Sequence, residues 1–326
     1  MPALSAITVD VHLRDDDMRA ALEHDVRDGL CRRPKAIPPT WFYDEEGSRL
    51  FEEITKLPEY YPTRTERALL EAHAVEIASL AGADTLVELG AGSCEKTRIL
   101  LDAMKELGTL RRYVPFDVSA EFLEDAAASL ASEYDGLHIH AVIGDFLRHL
   151  DRIPTTGTRL VAFLGGTIGN LVPTQRARFF QALRATLAPG DHALVGADLV
   201  KDPRRIVAAY DDSAGVTAEF NRNVLRVMNR SLDANFVPEH FAHVAQWNEH
   251  AQWIEMRLRA IGSQRVHVEA LDMTVEFDAG EELLTEISAK FTPESLAAEL
   301  DDARFSVENQ WGAEDGEFLL TLASRR

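Results

Sequence analysis

Hydrophobic runs and amphipathic stretches alternate along the chain between Thr85 and Leu199. Apolar runs such as TLVEL, RLVAFLGG and DHALVGADL are separated by amphipathic stretches such as CEKTRILLDAMKEL and TQRARFFQALRATLAPG. Nearly continuous apolar strands separated by helices are typical of a parallel sheet that is covered on both faces. The pattern therefore predicts a doubly wound α/β domain in this part of the chain.

The pattern changes after Val200. A polar segment that predicts a helix, GVTAEFNRNVLRVMNRSL, is followed by the alternating segments QWIEMRLRAIG, QRVHVEAL and MTVEFDAG, which predict antiparallel strands. The end of the chain, RFSVENQWGAEDGEFLLTLAS, predicts two strands around a polar turn, which would return to the first sheet as an antiparallel hairpin. Residues 200–289 would then form an inserted second subdomain.

The first sixty residues are predicted to be mainly helices and loops. Prolines punctuate two aromatic clusters there, in WFYDEEG and LPEYYPTR. We expect this segment to pack with the insertion. The predicted domains are therefore residues 1–63 with 200–289, and residues 64–199 with 290–326.

Composition and charge exclude several classes of protein. The 326 residues include 46% hydrophobic and 27% charged residues, as in soluble globular proteins. A formal net charge of −20 argues against nucleic-acid binding, which depends on cationic neutralisation of phosphates. The N-terminus lacks a basic segment followed by an apolar run, and no apolar stretch approaches membrane-spanning length, so we expect a cytoplasmic protein without a membrane partner. Without a coiled-coil pattern or an obvious interface stripe, we expect a monomer. Cys31 and Cys94 lie too far apart to indicate a disulfide framework or a metal site.

A glycine-rich segment follows the strand TLVEL and precedes an amphipathic helix. It contains Gly90, Ala91, Gly92 and Ser93, and glycines there would let the backbone approach a nucleotide closely. The third glycine of the dinucleotide pattern is absent, because Glu95 occupies its place. The segment therefore disfavours NAD.

Acidic residues at successive strand ends favour a nucleotide-like cofactor without a diphosphate. Glu88 lies just before the glycines, and Asp117 ends the next strand, where its carboxylate would accept both ribose hydroxyls. One strand later, Asp145 would accept from the adenine amino group and Phe146 would lie against the ring. Taken alone, Asp117 could instead cap the following helix and Asp145 could simply begin a turn.

The chain resembles, over essentially its full length, the histidine-specific N-methyltransferases of ergothioneine biosynthesis. The resemblance rests on WFYDEEGSRLFEEIT, LPEYYPTRTE, LVELGAGSCEKTR, FLGGTIGNL, DLVKD, YDD, GVTAEFNRNVL and LLTEISAKF, in this order. It implies a class I, Rossmann-like methyltransferase core that binds S-adenosylmethionine and releases S-adenosylhomocysteine, without a metal. It also implies a family-specific α+β domain that binds L-histidine, with the cleft between the two.

The resemblance also implies the residues of the cofactor site. They are Tyr60, Gly90, Lys96, Asp117, Asp145 and Phe146. Lys96 has an ordinary alternative, since lysines on helices are usually solvated.

The implied substrate site draws on both predicted domains. Its residues are Tyr43, Phe51, Tyr60, Gly165, Thr167, Asn170, Tyr210, Met256, Glu286 and Ser288. Asn170 would accept from the α-amino group, and Tyr210 would donate to the carboxylate. Glu286 and Ser288 would bind the two imidazole nitrogens.

Several of these residues also have an ordinary structural interpretation. Tyr43, in an aromatic triplet next to prolines, could belong to the core. Asn170 could be a turn residue, and Tyr210 could be a half-buried surface aromatic. Glu286 lies in an acidic segment that could be a solvated face, and Met256 could belong to the core.

Methyl transfer to an amine is an in-line displacement that needs a nitrogen lone pair. Correct positioning of two reactants contributes roughly 7–11 kcal/mol, more than a single general base. Asn170 and Tyr43 are therefore the predicted catalytic residues, with Phe51 packed nearby. The resemblance implies three successive transfers, which end at a quaternary nitrogen.

Two other functions remain open at this point. The chain could be a methyltransferase of the same family that acts on a different amino acid or amine. It could also be a non-catalytic protein that binds S-adenosylmethionine. A NAD-dependent oxidoreductase is disfavoured by the missing glycine.

Overall fold

The computed structural model describes residues 7–92, 94 and 96–326. Ser93 and Glu95 of the glycine-rich segment thus lie outside the described residues. The helices of the described part are α1 (Asp15–Cys31), α2 (Glu45–Lys56), α3 (Tyr61–Ala81), α4 (Thr97–Glu106), α5 (Ala120–Glu133), α6 (Pro173–Thr186), α7 (Pro203–Tyr210), α8 (Val216–Leu232) and α9 (Pro293–Asp302). None of these helices is long and apolar enough to cross a membrane.

The described strands are spread over the whole chain. They are β1 (Ile7–Val11), β2 (Lys35–Ala36), β3 (Thr85–Leu89), β4 (Arg112–Asp117), β5 (His138–Ile143), β6 (Arg159–Phe163), β7 (His192–Asp198), β8 (Phe241–Asn248), β9 (Trp253–Ala260), β10 (Gln264–Val268), β11 (Met273–Phe277), β12 (Glu282–Ala289), β13 (Phe305–Gly312) and β14 (Phe318–Arg325).

The chain divides into two compact units. Unit 1 comprises the segment up to Leu13, Pro62–Val200 and Phe291–Arg326. Unit 2 comprises Arg14–Tyr61 and Lys201–Lys290. The assignment of one unit to the cofactor and of the other to histidine stays a prediction.

Unit 1 contains an eight-stranded sheet in the order β1-β5-β4-β3-β6-β7-β14-β13. The pairs from β1 to β7 are parallel, whereas β14 pairs antiparallel with both β7 and β13. Every residue of β3, β6 and β7 is buried, as their continuous apolar character predicts. The prediction of a mostly parallel α/β core with a terminal antiparallel hairpin is confirmed.

The strand order of unit 1 reverses at β3. The chain proceeds from β3 through β4 to β5 on one side, and then from β6 to β7 on the other. Loops at the carboxyl ends of the strands diverge at such a reversal and leave a crevice, which is where open α/β sheets bind ligands. The glycine-rich segment follows β3 at this place.

The strand β1 differs from the prediction for the first residues. Residues 1–63 were expected to pack with the insertion, but Ile7–Val11 pairs in parallel with His138–Ile143 and extends the sheet of unit 1. Ile7 and Val11 are separated by alternating polar and β-branched residues, a pattern that suits an edge strand. The backbone donors and acceptors along β5 find their partners in this strand, which explains its position.

Unit 2 is built on a four-stranded sheet in the order β2-β12-β9-β8, with a separate β10-β11 ribbon. β12, β9 and β8 are antiparallel neighbours, and the helix α8 packs on β8 and α2. Phe220, Val224 and Met228 on α8 are buried in the apolar core of this unit. The strand β8 was not predicted, because its residues are mostly half-buried and include the polar His243, Gln246 and Asn248.

Candidate active site

The turn after β3 has the backbone geometry that only glycine adopts easily. Gly90 and Gly92 have φ values of +72° and +50°. Their amides donate to Phe116 O at 2.8 Å and to Asp117 Oδ2 at 3.1 Å, respectively. No described atom lies within 4 Å of the position that a Cβ would take at either glycine. The turn therefore presents open backbone at the carboxyl end of the sheet.

Asp117 connects this turn to the next one. Its Oδ2 accepts from the Gly92 amide, and its Oδ1 accepts from the Ser119 amide at 3.1 Å. The side chain is partly exposed, while its surroundings raise the pKa of the carboxyl by desolvation, against the lowering effect of these amides. Each carboxylate oxygen has two lone pairs, so the carboxyl can hold both turns and still accept from a ligand.

Asp145 and Phe146 follow the neighbouring strand β5. Asp145 does begin a turn, since its Oδ1 accepts from the Leu147 amide at 2.8 Å, and its own amide donates to His149 Nδ1 at 3.1 Å. The ring of Phe146 is partly buried and packs edge-on against Phe163, with 5.1 Å between the ring centroids. Among the described residues, the contact of Asp145 Oδ2 is a 3.5 Å ion pair with Arg148.

Lys96 is not a solvated helix residue. It forms an ion pair with Glu66, a side chain with 0% exposed area on α3. The Glu66 carboxylate also accepts from the Gly165 amide, at 2.7 Å and 2.9 Å from its two oxygens. Gly196 makes room for this carboxylate, because a Cβ there would lie 2.2 Å from Glu66 Oε1. Lys96 and the loop after β6 are thus held by the same buried carboxylate.

The loop after β6 combines left-handed glycines with a short 3-10 turn. Gly165 and Gly166 have φ values of +77° and +67°, and the turn runs from Thr167 to Asn170. The Thr167 hydroxyl donates to Leu164 O at 2.9 Å. Asn170 is partly exposed, and its side-chain amide bonds to none of the described residues. This amide is therefore available to a ligand.

Glu88 has an internal role. Its buried carboxyl accepts from the Tyr113 hydroxyl at 2.7 Å and from the Thr97 hydroxyl. Burial raises the pKa of Glu88 to about 7, although both hydrogen bonds act in the opposite direction. Tyr113 also contacts Cys94 Sγ, in the glycine-rich segment, at 3.2 Å. Through Tyr113, Glu88 therefore stabilises this segment from the buried side.

In unit 2, four predicted substrate residues form a continuous row of aromatic rings. Centroid distances are 5.7 Å from Tyr43 to Phe51, 6.1 Å from Phe51 to Tyr60 and 6.2 Å from Tyr60 to Tyr210, all edge-to-face. Tyr43 directly precedes Asp44, whose side chain caps α2. Edge-to-face pairs of this kind fix ring orientations and add roughly 0.5–1.5 kcal/mol each beyond area burial.

The row ends at polar side chains of β12. The Tyr210 hydroxyl donates to Ser288 Oγ at 2.9 Å. Lys290 Nζ donates to both, at 3.0 Å to the Tyr210 hydroxyl and 2.9 Å to Ser288 Oγ. Tyr210 is therefore a buried part of this polar cluster and not a surface aromatic.

Glu286 is buried beside this cluster and not on a solvated face. It is 8% exposed and lies directly opposite Met256 in the β9–β12 pair. An irregularity between Leu284 and Glu286 shifts the register, and the Thr285 hydroxyl there donates to Met256 O at 2.9 Å. Burial raises the pKa of Glu286 to about 8, while the charge of Lys290 acts in the opposite direction. Met256 does belong to the core, with 2% exposed area.

The structure brings part of the predicted residues together within each unit, whereas the side chains of Asp145, Phe146 and Asn170 contact none of the other predicted residues among the described hydrogen bonds, ion pairs and ring contacts. In unit 1 the glycine turn contacts Asp117, and Lys96 shares Glu66 with Gly165. In unit 2 the aromatic row meets Ser288. Glu66 and Lys290 were not predicted from the sequence. Lys290 continues the two-residue alternation of Glu286 and Ser288, a signal that could have found it, whereas nothing in the local pattern distinguishes Glu66 from a surface glutamate.

Known proteins resemble this chain closely. Residues 22–325 match the family described as histidine-specific methyltransferase, SAM-dependent. The histidine N-alpha-methyltransferase of Mycobacterium tuberculosis is 55% identical over 98% of this chain and 99% of its own length. The protein of that name from Mycolicibacterium smegmatis is 56% identical over 96% of this chain and 98% of its own length. A solved S-adenosylmethionine-dependent methyltransferase from Clostridium acetobutylicum superposes with a TM-score of 0.49 at 12% identity, covering 85% of this chain and 98% of that chain. The chain described here belongs to the family of S-adenosylmethionine-dependent, histidine-specific methyltransferases.

Proposed function

We propose that this protein transfers three methyl groups, one at a time, from S-adenosylmethionine to the α-amino nitrogen of L-histidine, which gives hercynine. The observation that carries the proposal is the buried pair Glu286 and Ser288 on one face of β12. A polar pair of this kind inside an apolar unit is unfavourable unless a ligand or neighbour satisfies it. An imidazole, with one N–H and one lone pair, fits both side chains.

The residues of unit 1 fit S-adenosylmethionine, whose sulfonium supplies an electrophilic methyl group when it is bound. The open backbone at Gly90 admits a ligand without steric conflict. Asp117 would accept from the ribose hydroxyls, and Asp145 would accept from the adenine amino group. Phe146 would lie against the adenine, and Lys96, which pairs with Glu66, would contact the cofactor as the family resemblance implies. The family resemblance adds Tyr60 to this set.

The histidine would be oriented from both of its ends. Tyr210 would donate to the substrate carboxylate, and Glu286 and Ser288 would hold the ring. Met256, opposite Glu286 in the sheet, would pack on the ring. Gly165 and Thr167, in the loop that carries Asn170, would complete the substrate contacts.

The chemistry of this chain's own residues would then be positioning. Asn170 would accept from the α-amino group through its amide oxygen and direct the nitrogen lone pair. The hydroxyl of Tyr43 would accept a second N–H and assist removal of the proton, with Phe51 fixing its ring. Positioning of this kind contributes roughly 7–11 kcal/mol to catalysis. The aromatic row would favour the cationic trimethylated product.

The same proposal covers the setting of the enzyme. We infer a monomer in the cytoplasm that acts on a small molecule and binds neither nucleic acid nor membranes. The net charge of −20 supports the absence of nucleic-acid binding.

Mass spectrometry of L-histidine incubated with the purified protein and S-adenosylmethionine tests the proposal. We expect mass gains of one, two and then three methyl groups, with trimethylated histidine accumulating. Methylation of another amine but not of histidine would retain the cofactor site and refute the substrate. Cofactor binding without turnover across a panel of amino acids would favour a non-catalytic binding protein.

A further inference from the structure

Lys290 is a buried cation in the predicted substrate site. It is 4% exposed and lies two residues after Ser288, on the same side of the extended chain as Ser288 and Glu286. Its ammonium group donates to Ser288 Oγ at 2.9 Å and to the Tyr210 hydroxyl at 3.0 Å. It therefore touches two of the groups that would hold histidine.

The contacts of Ser288 determine what its hydroxyl can offer to a ligand. A hydroxyl has one hydrogen to donate and two lone pairs that accept. Ser288 Oγ accepts from the Tyr210 hydroxyl at 2.9 Å and from Lys290 Nζ at 2.9 Å. An ammonium group has no lone pair, so its contact with Ser288 cannot be reversed. Both lone pairs of Ser288 are thus occupied in the ligand-free protein. When the Tyr210 hydroxyl turns its single hydrogen to the substrate carboxylate, Lys290 still occupies one lone pair of Ser288, so the hydrogen of Ser288 points away from Lys290 and is offered to the ring.

We propose that Lys290 is a positioning residue that fixes Ser288 as a hydrogen-bond donor, so that the site selects a side-chain ring with an unprotonated nitrogen at that place. This inference rests on the proposed histidine site. The remaining ring N–H is then left for Glu286, whose carboxyl oxygens accept whether or not the group is ionised. Lys290 and Glu286 together would select a neutral imidazole in a single tautomer.

The opposite arrangement would be unfavourable in this environment. A ring that presented N–H or C–H to Ser288 would leave the buried hydroxyl hydrogen without an acceptor on the ligand. A buried polar group left unsatisfied costs about 1–3 kcal/mol, which corresponds to roughly 5- to 150-fold in affinity. Discrimination between ring types by this one contact is therefore large enough to measure.

Substrate analogues that lack one ring nitrogen test the inference. The two isomers β-(pyrrol-2-yl)-L-alanine and β-(pyrrol-3-yl)-L-alanine each keep one N–H and carry C–H in place of the other nitrogen. We expect kcat/KM of the unsubstituted enzyme to be at least about 10-fold lower for both isomers than for histidine. Ser288→Ala removes the donor, and it should reduce this discrimination.

The decisive variant is Lys290→Met, which has a side chain of similar length without charge or donor. We define the histidine-to-pyrrole ratio as kcat/KM for histidine divided by kcat/KM for a pyrrolylalanine isomer. Because the hydroxyl of Ser288 can turn toward the vacated space in Lys290→Met, we expect this ratio to fall to its value in Ser288→Ala. KM for histidine should rise more than kcat falls, since the contact concerns the ring and not the reacting amine. Lys290→Gln keeps an N–H donor without the charge. Its histidine-to-pyrrole ratio should therefore be higher than that of Lys290→Met.

A double-mutant cycle separates this role from a merely structural one. If Lys290 acts through Ser288, Lys290→Met should not change the ratio further in a Ser288→Ala background. A folded Lys290→Met enzyme that keeps the full histidine-to-pyrrole ratio would overturn the inference. If Lys290→Met does not fold, retention of the ratio by Ser288→Ala would overturn it as well. Failure of the unsubstituted enzyme to methylate histidine would instead refute the proposed function.

Discussion

At the scale of single residues, Glu286 is a buried carboxyl whose pKa is raised. Among the described residues none donates a hydrogen bond to it, and burial raises its pKa to about 8. The group is therefore mostly protonated in the ligand-free protein at neutral pH, whereas the same glutamate in an unfolded chain is ionised. The two states bind different numbers of protons, so the free energy of unfolding depends on pH.

The Glu286→Gln variant tests this linkage. Since the pKa is higher in the folded than in the unfolded state, the stability contributed by protonated Glu286 is complete below about pH 4.5. It is lost progressively as pH rises to about 8 and changes little above that value. We therefore expect the unfolding free energy of the unsubstituted protein to fall by a few kcal/mol relative to that of Glu286→Gln over this window, because glutamine does not titrate. Urea denaturation at several pH values measures it, and a constant difference would contradict the raised pKa.

A second residue-scale prediction concerns substrate selection. Glu286→Ala removes the acceptor for the ring N–H and enlarges the space beside Met256. Histidine should lose roughly 10- to 100-fold in kcat/KM, and tryptophan should gain relative to it. Competition assays with both amino acids check this outcome. An unchanged preference for histidine over tryptophan would show that Glu286 does not choose the substrate.

At the scale of secondary-structure elements, Glu66 connects α3 with α4 and with the loop after β6. Its carboxylate accepts from the Gly165 amide and pairs with Lys96, and all of these residues lie in unit 1. A fully buried carboxylate is tolerated there because charge and hydrogen bonds are both satisfied. The absence of a side chain at Gly196 in β7 supplies the space.

Gly196→Ala should therefore destabilise the protein. The added Cβ would lie 2.2 Å from Glu66 Oε1 and 3.2 Å from Phe318 Cε1, which displaces the carboxylate from its partners. We expect a loss of about 1–3 kcal/mol in urea denaturation. The matched control is Gly312→Ala in β13, where a Cβ would meet only Leu319 Cδ1 at 3.9 Å among the described atoms.

The same substitution in a Glu66→Ala background shows whether the carboxylate is the cause. Without Glu66, the main obstacle to the new methyl group is removed, and the cost of Gly196→Ala should fall by about 1 kcal/mol or more. Equal costs in both backgrounds would assign the strain to Phe318 instead.

At the scale of the whole molecule, each unit has its own apolar core and its own set of polar site residues. The predicted cofactor contacts, apart from Tyr60, lie in unit 1, and the predicted ring contacts lie in unit 2. Ligands stabilise the local structure that they contact by slowing its opening. The two ligands should therefore leave separate signatures on the backbone.

Hydrogen exchange measured by mass spectrometry tests this division. S-adenosylhomocysteine should slow exchange in the turns after β3, β4 and β5, by up to about 100-fold when the ligand is at 100 times its Kd. Histidine should protect the segment 286–290, which comprises the end of β12 and the residue after it. NADH is the control nucleotide and should protect neither region. Protection of β12 alone by S-adenosylhomocysteine would contradict the assignment of the cofactor to unit 1.

The sequence by itself determined the class of fold, the terminal hairpin and the position of the glycine turn. These features depend on local order: strand and helix periodicity, and glycines directly after an apolar strand. Its motifs also placed the chain in its family before any contact was known. The local pattern of Ile7–Val11 and Phe241–Asn248 did not predict these two strands. They are defined by their pairing with β5 and β9, respectively.

The tertiary structure alone decided how the site residues are held. Glu66 and Gly165 are 99 residues apart in sequence, and Tyr210 and Lys290 are 80 apart. Whether a glutamate or lysine is solvated or buried depends on the partners that folding brings to it, because only satisfied charges are tolerated in the interior. Spacing along the chain contains no such information, so the roles of Glu66 and Lys290 emerged only from their contacts.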